Sequence, residues 1–137
     1  IASNCVVISG LALGCDAIAH QASLDCGGAT IAVLPSGLDR ITPRSNAGLA
    51  RRIVANGGLL LSPYPPGSGV SRNSYIYRDS LVAALADSVY VVECDRRSGT
   101  MHTVRFANQY GTRVYTPNIS RSGNQHILAS GLGVLAP

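Results

Sequence analysis

Short apolar, β-rich runs alternate along this chain with stretches in which apolar or small residues recur about every three to four positions. Residues 5–9 (CVVIS) read as a strand, and residues 16–26 as a helix with Ala17, Ala19, Ala22, Ser23 and Leu24 on its packing face and Gly27-Gly28 at its end. The pattern then repeats. Residues 30–34 predict a strand, 45–56 a helix closed by Gly57-Gly58, 59–62 a strand and 79–86 a helix; 89–93 follow as a strand, 100–110 as a helix closed by Gly111, and 113–116 as the last strand. Residues 1–4 read as the tail of a helix entering the first strand. Such alternation implies right-handed βαβ units and a parallel sheet covered on both faces. The expected fold is therefore a doubly wound, mostly parallel, Rossmann-like α/β fold, and 137 residues suit a single domain over 1–137.

In a parallel sheet every βα loop emerges at one edge, where ligands settle beyond the strand ends. The loops here are residues 9–14 (SGLALG), 35–40 (PSGLDR), the long stretch 63–78, 94–100 (CDRRSGT) and 117–123. The fourth is the most informative. A buried strand stops at Glu93, turns through Asp95, Arg96, Arg97, Ser98 and Gly99, and opens a helix at Thr100. That arrangement offers free backbone N–H groups and a positive helix end to a phosphate, although Ser-Gly-Thr is equally good as a cap and turn. The loops also hold Arg40, Arg44, Arg72, Arg78, Arg96, Arg97 and Arg121, diluted by Asp16, Asp39, Glu93 and Asp95.

Charge is uneven along the chain. Residues 1–50 carry two Arg against three Asp, a net of −1, whereas residues 51–137 carry nine Arg against four acids, a net of +5. All eleven basic residues are Arg, which suits bidentate contact with phosphate, though a Lys-poor lineage gives the same bias. Cys5, Cys15, Cys26 and Cys94 are spaced too widely for a CxxC pair and read as reduced core thiols, and His20, His102 and His126 are scattered, so neither metal nor cofactor is expected. No apolar run approaches the ~20 residues of a membrane span and no signal-peptide pattern is present, so a cytoplasmic protein away from membranes is expected. Asp16 reads as the N-cap of its helix, Glu93 as a cap for the turn after it, and His20 as a packed residue. Tyr64, Tyr75 and Tyr77 flank the long loop, where they would either stack on bases or pin the loop.

Several ordered motifs carry a resemblance. SGLALGCDAIAH (9–20), GGATIAVLPSGLDRITP (27–43) with Asn46, GGLLLSPYPPG (57–67), YRDSLVAALADSVYVVE (77–93), SGTMHTVRFA (98–107), and RVYTP (113–117) followed by Ser122-Gly123-Asn124 and Ile127-Leu128 together resemble the DNA-processing protein A family, DprA or Smf. The resemblance implies an extended Rossmann domain that binds single-stranded DNA without doing chemistry on it, forms a homodimer and hands the strand to a RecA-type recombinase during natural transformation. It carries binding roles to Ser9, Gly10 and Gly14 on the first loop, Gly37 on the second, Arg78 at a helix start, and Ser98, Gly99 and Thr100 at the phosphate turn. Arg40, Arg96 and Arg97 join them as loop cations. No catalytic residue is implied.

Some positions depart from the family's pattern. Its Arg-Asn-Arg stands here as Arg78-Asp79-Ser80, which brings in an acid and removes an arginine, and its Pro-Gly stands as Pro117-Asn118. The family's first strand and Gly-Ser-Arg loop, and the accessory modules of many members, have no counterpart in this sequence. A second reading is a nucleotide enzyme, because Rossmann-like phosphoribohydrolases resemble the family and also place a Gly-Thr turn, here Gly99-Thr100, at a helix start. Those enzymes carry a Glu within that helix, whereas residues 100–110 contain no acid. A DprA-like interaction scaffold is the third reading.

Overall fold

The structure is a computed structural model describing residues 5–137; the expected helix tail at 1–4 lies outside the described residues. The elements run β1 (Val7–Ser9), α1 (Cys15–Asp25), β2 (Thr30–Val33), a 3-10 turn (Arg44–Asn46), α2 (Ala47–Ala55), β3 (Leu59–Leu61) and α3 (Arg72–Leu85). They continue as β4 (Ser88–Tyr90), α4 (Thr100–Tyr110), β5 (Arg113–Thr116), α5 (Ser122–Ala129) and β6 (Val134–Leu135). All strand pairs among the described residues are parallel, in two three-stranded sheets ordered β1-β2-β3 and β4-β5-β6. The chain divides into two compact units, Ile1–Arg78 and Asp79–Pro137.

In the first unit β2 is the central strand, pairing Val7 with Thr30 on one side and Ile31 with Leu59 on the other. Its core gathers Leu11, Leu24, Ala32, Leu34, Ala50 and Ile53, with Ile41, Leu49 and Leu60 packed against them. The return from α2 to β3 depends on Gly58, where a Cβ would come within 2.5 Å of the Thr30 carbonyl oxygen. His20 is fully buried on α1. Thr30 Oγ1 donates its one proton to Val7 O at 2.7 Å and so accepts from His20 Nδ1 at 2.7 Å. That fixes the ring as the Nδ1–H tautomer and leaves Nε2 buried without a hydrogen-bond partner among the described residues. Burial pushes the His20 pKa below its ordinary value, with the Asp16 charge acting in the opposite direction.

In the second unit β5 is central, and Val89, Val91, Cys94, Met101, Val104, Ala107, Val114 and Ile127 form the core with Ala83 of α3. Tyr90 and Tyr115, directly paired in register, stack at 5.0 Å between centroids. Gly111 ends α4 at φ 75°, the left-handed turn that favours glycine.

Two differences from the sequence pattern have local causes. Helix α3 begins at Arg72 rather than residue 79, because Ser71 and Ser74 cap it reciprocally: Ser74 N donates to Ser71 Oγ at 3.1 Å and Ser71 N to Ser74 Oγ at 2.8 Å. The final α5 and β6 were absent from the expected elements; they are eight and two residues long, too short to show a period.

Candidate functional site

In the first unit the loop from β1 to α1 is tied down from three directions. Asp16 Oδ2 accepts from Gly10 N at 3.0 Å and Ala12 N at 3.2 Å, Asn46 Nδ2 donates to Leu11 O at 2.8 Å, and Arg78 Nη1 donates to Gly10 O at 2.6 Å and Val33 O at 3.2 Å. Asp16 thus lies inside α1 and holds the loop before it, while Gly14 occupies the cap position at φ 84°; this corrects the expected N-cap. Leu11 sits in the left-handed region at φ 59° with its side chain fully buried, and that burial anchors a backbone shape leucine rarely takes.

This geometry changes what the first-loop residues can offer. The Gly10 N–H is already spent on Asp16, and Ser9 is part of β1, aligned with Ala32 of β2. Arg78 is 7 % exposed, its guanidinium bonded to carbonyls and 5.6 Å from the centre of the Tyr75 ring, so its charge lies beneath the loop rather than on an open face. A Cβ at Gly10 would collide with that guanidinium. On the second loop, Gly37 N donates to Ser68 O at 3.0 Å, and a Cβ there would approach Pro65 O to 2.6 Å. Asp39 holds Gly67 N at 2.8 and 2.9 Å, which locks the start of the long loop onto the second. Arg40 follows, exposed. Tyr64 meets Tyr77 edge-on at 6.3 Å, pinning the long loop to α3.

The turn into α4, in the second unit, is organised differently. Its frame is Asn124 at the start of α5, fully buried, which accepts from Cys94 N at 2.9 Å and donates to Val92 O at 3.1 Å and Thr116 Oγ1 at 2.7 Å. Gly123 N donates to Cys94 O at 3.0 Å, and its missing side chain leaves the room Cys94 fills. Ser122 Oγ accepts from Arg96 N at 3.0 Å. From that fixed frame the turn projects Arg96, Arg97, Gly99 and Thr100, whereas Ser98 turns inward, its N–H donating to Asp95 O at 2.9 Å and its Oγ buried. Among the described residues, the N–H groups of Gly99 and Thr100 have no hydrogen-bond acceptor and the guanidiniums of Arg96 and Arg97 no ion pair. No side chain caps α4. The Gly99 and Thr100 amides and the Arg96 and Arg97 guanidiniums expected to receive an anion are therefore open, whereas Ser98 and the Gly10 and Gly37 amides are used internally.

Glu93 does not cap the turn. It pairs with Arg121 at 3.4 Å, both about half exposed. Of the four cysteines only Cys94 is buried; Cys5, Cys15 and Cys26 are exposed, which corrects their assignment to the core. Burial pushes the Cys94 thiol up, opposed by the Ser98 hydroxyl and reinforced by Asp95. A cleft of about 700 Å³ opens beside the turn, lined by Asp95, Arg96, Arg97, Arg105, Ser122 and His126. Asn124, Arg105 and His126 were missed as site residues; the Ser122-Gly123-Asn124 string was visible, but nothing in it said which loop it would meet. Among the described residues no group of His, Cys, Asp or Glu could hold a metal ion, and no helix is long and apolar enough to cross a membrane.

The sequence model of the family described as DNA recombination-mediator protein A matches residues 1–133. The chain belongs to this family. Among its relatives, protein Smf of Synechocystis is 41% identical over 119 residues, covering 86% of this chain and 30% of that protein. The DNA processing protein DprA of Streptococcus pneumoniae is 39% identical over 110 residues, covering 80% of this chain and 39% of the relative. The chain thus spans well under half the length of these proteins. Two solved members of the DNA-processing protein A family share the fold. DNA processing protein A from Helicobacter pylori, whose structure describes a single-stranded DNA binding mode, superposes with a TM-score of 0.89 at 34% identity over 97% of this chain and 62% of its own. The S. pneumoniae structure gives 0.84 at 33% identity over 98% and 49%. The Rossmann-like α/β architecture of the family is therefore the architecture of this chain.

Proposed function

We propose that this chain binds single-stranded DNA through its backbone phosphates and performs no chemistry on it. The observation that carries the reading is the turn 96–100, which presents from a rigid frame guanidiniums without an ion pair and N–H groups without an acceptor among the described residues. The binding described for the H. pylori relative supports it. Arg96, Arg97, Gly99 and Thr100 are the direct phosphate contacts, with exposed Arg40 as a further cation on its own loop; Ser98, whose N–H serves Asp95 O and whose hydroxyl is buried, shapes the turn. Ser9, Gly10, Gly14, Gly37 and Arg78 shape the loops, Arg78 as a positioning residue. In the whole protein this activity serves DNA uptake and recombination, with a homodimer protecting the strand and passing it to a RecA-type recombinase.

The phosphoribohydrolase reading is disfavoured because α4 holds no acid and Glu93 is engaged with Arg121. The test is the salt dependence of oligo-dT binding measured by fluorescence anisotropy. Replacing Arg96 or Arg97 with Ala should weaken binding for all sequences alike and shallow the log K against log salt line by roughly 0.7 for each lost contact. Unchanged slopes in both variants would reject these roles, and turnover of AMP would return the enzyme reading.

A further inference from the structure

The cleft beside the turn reaches past the residues assigned to the DNA backbone, because its far side is made by Arg105 of α4 and His126 of α5. At about 700 Å³ it falls within the ~300–1,000 Å³ typical of small-molecule sites. All six lining residues are charged or polar. The lining has no Phe, Tyr or Trp, and its only groups on which a base could stack are the His126 imidazole and the guanidiniums, so charge rather than a broad aromatic wall dominates what it can hold. Three guanidiniums face one carboxylate here, a formal balance of +2 with histidine neutral. Among the described residues none of the three arginines has an ion pair. The carboxylate, Asp95, has Ser122 Oγ as a neighbour at 3.4 Å, and His126 Nδ1 lies 3.1 Å from Ser130 Oγ.

That balance selects among anions. An internal phosphodiester carries a single charge, whereas a terminal phosphate monoester carries about −1.5 to −2 near neutral pH and three acceptor oxygens. Arginine's planar fork matches such oxygens bidentately. The walls are preorganised as well: Asn124, Gly123 and Ser122 lock the start of α5 to residues 92–96, so the guanidinium-bearing turn is fixed before any ligand arrives. We propose that this cleft is a phosphate-monoester site that recognises the terminal phosphate of a DNA strand or of a free mononucleotide, without regard to the base. It rests on the single-stranded DNA reading only for the strand-end source.

The test is a titration of the ¹⁵N-labelled protein with thymidine 5′-monophosphate and, in parallel, with thymidine, followed through the amides of residues 96–100 and 122–126. The monophosphate should give saturable shifts there and thymidine none. Arg105→Ala should weaken monophosphate binding about tenfold, the loss expected for one charge-assisted hydrogen-bonded contact, with Arg105→Lys intermediate. Arg113→Ala, an exposed arginine on β5 outside the cleft, should match wild type and controls for net charge. No saturable shift up to about 10 mM monophosphate, or equal shifts from thymidine, overturns the proposal. Oligo-dT with and without a 5′-phosphate then separates the sources. A several-fold preference for the phosphorylated strand that Arg105→Ala abolishes assigns the strand end; equal affinities alongside intact monophosphate binding assign the free nucleotide. Monophosphate binding with no affinity for either strand would sink the DNA reading and leave the cleft's chemistry standing.

Discussion

A buried guanidinium is tolerated only when its donors are filled, and Arg78 spends donors on the carbonyls of Gly10 and Val33. Replacing it with Met should leave those acceptors unsatisfied and cost about 1–3 kcal/mol in urea denaturation, while the salt slope of oligo-dT binding stays at the wild-type value. A shallower slope at unchanged stability would instead make Arg78 a phosphate ligand. The residue types at strand ends were legible in the sequence. Their partners were not, because Asp16, Asn46 and Arg78 converge on one loop from positions up to 68 residues away. His20 carries a second residue-level consequence. Its folded pKa lies below the unfolded value near 6.5, so the fold binds fewer protons than the unfolded chain in the interval between the two. Stability from this group is complete above about pH 6.5 and is lost as pH falls through the lower folded-state value. Denaturation midpoints at pH 7.5 and 5.5 should differ less in His20→Gln than in wild type; an identical difference would place the acid sensitivity elsewhere.

At the scale of elements, the alternation of strands and helices was readable from period and glycine punctuation through β5. It failed where capping or tertiary contact decides the outcome. The first turns of α3 depend on the Ser71–Ser74 box, which uses Ser in place of the usual acid or amide, and α5 has only Ile127 and Leu128 as consecutive large apolar residues. The α5 helix is held by Ile127 in the core and by what Asn124 and Gly123 bond to. Asn124→Ala removes three hydrogen bonds from a fully buried position, stranding Cys94 N and Val92 O, and should cost about 3 kcal/mol. Chemical denaturation checks it. A loss below about 0.5 kcal/mol, the range of an ordinary surface substitution, would mean the frame of the turn does not depend on this amide.

Across the whole molecule, total charge is a poor guide to where anions go. Residues 1–78 carry six Arg against three Asp and residues 79–137 five Arg against four acids, so the more nearly neutral unit contains the arginine-lined cleft. The sequence showed the basic excess, but its deployment depends on which arginines lack a carboxylate neighbour, and that is settled by packing. The Cys94 sulfur, seated where Gly123 has no side chain, gives the second unit its own clock. A thiol reagent meets Cys5, Cys15 and Cys26 at once, whereas Cys94 must wait for α5 to lift from residues 92–96. In a variant retaining only Cys94, the labelling rate should track the opening equilibrium and fall in proportion as ligand fills the adjoining cleft, turning the occupancy of a spectroscopically silent anion into a measurable reaction time.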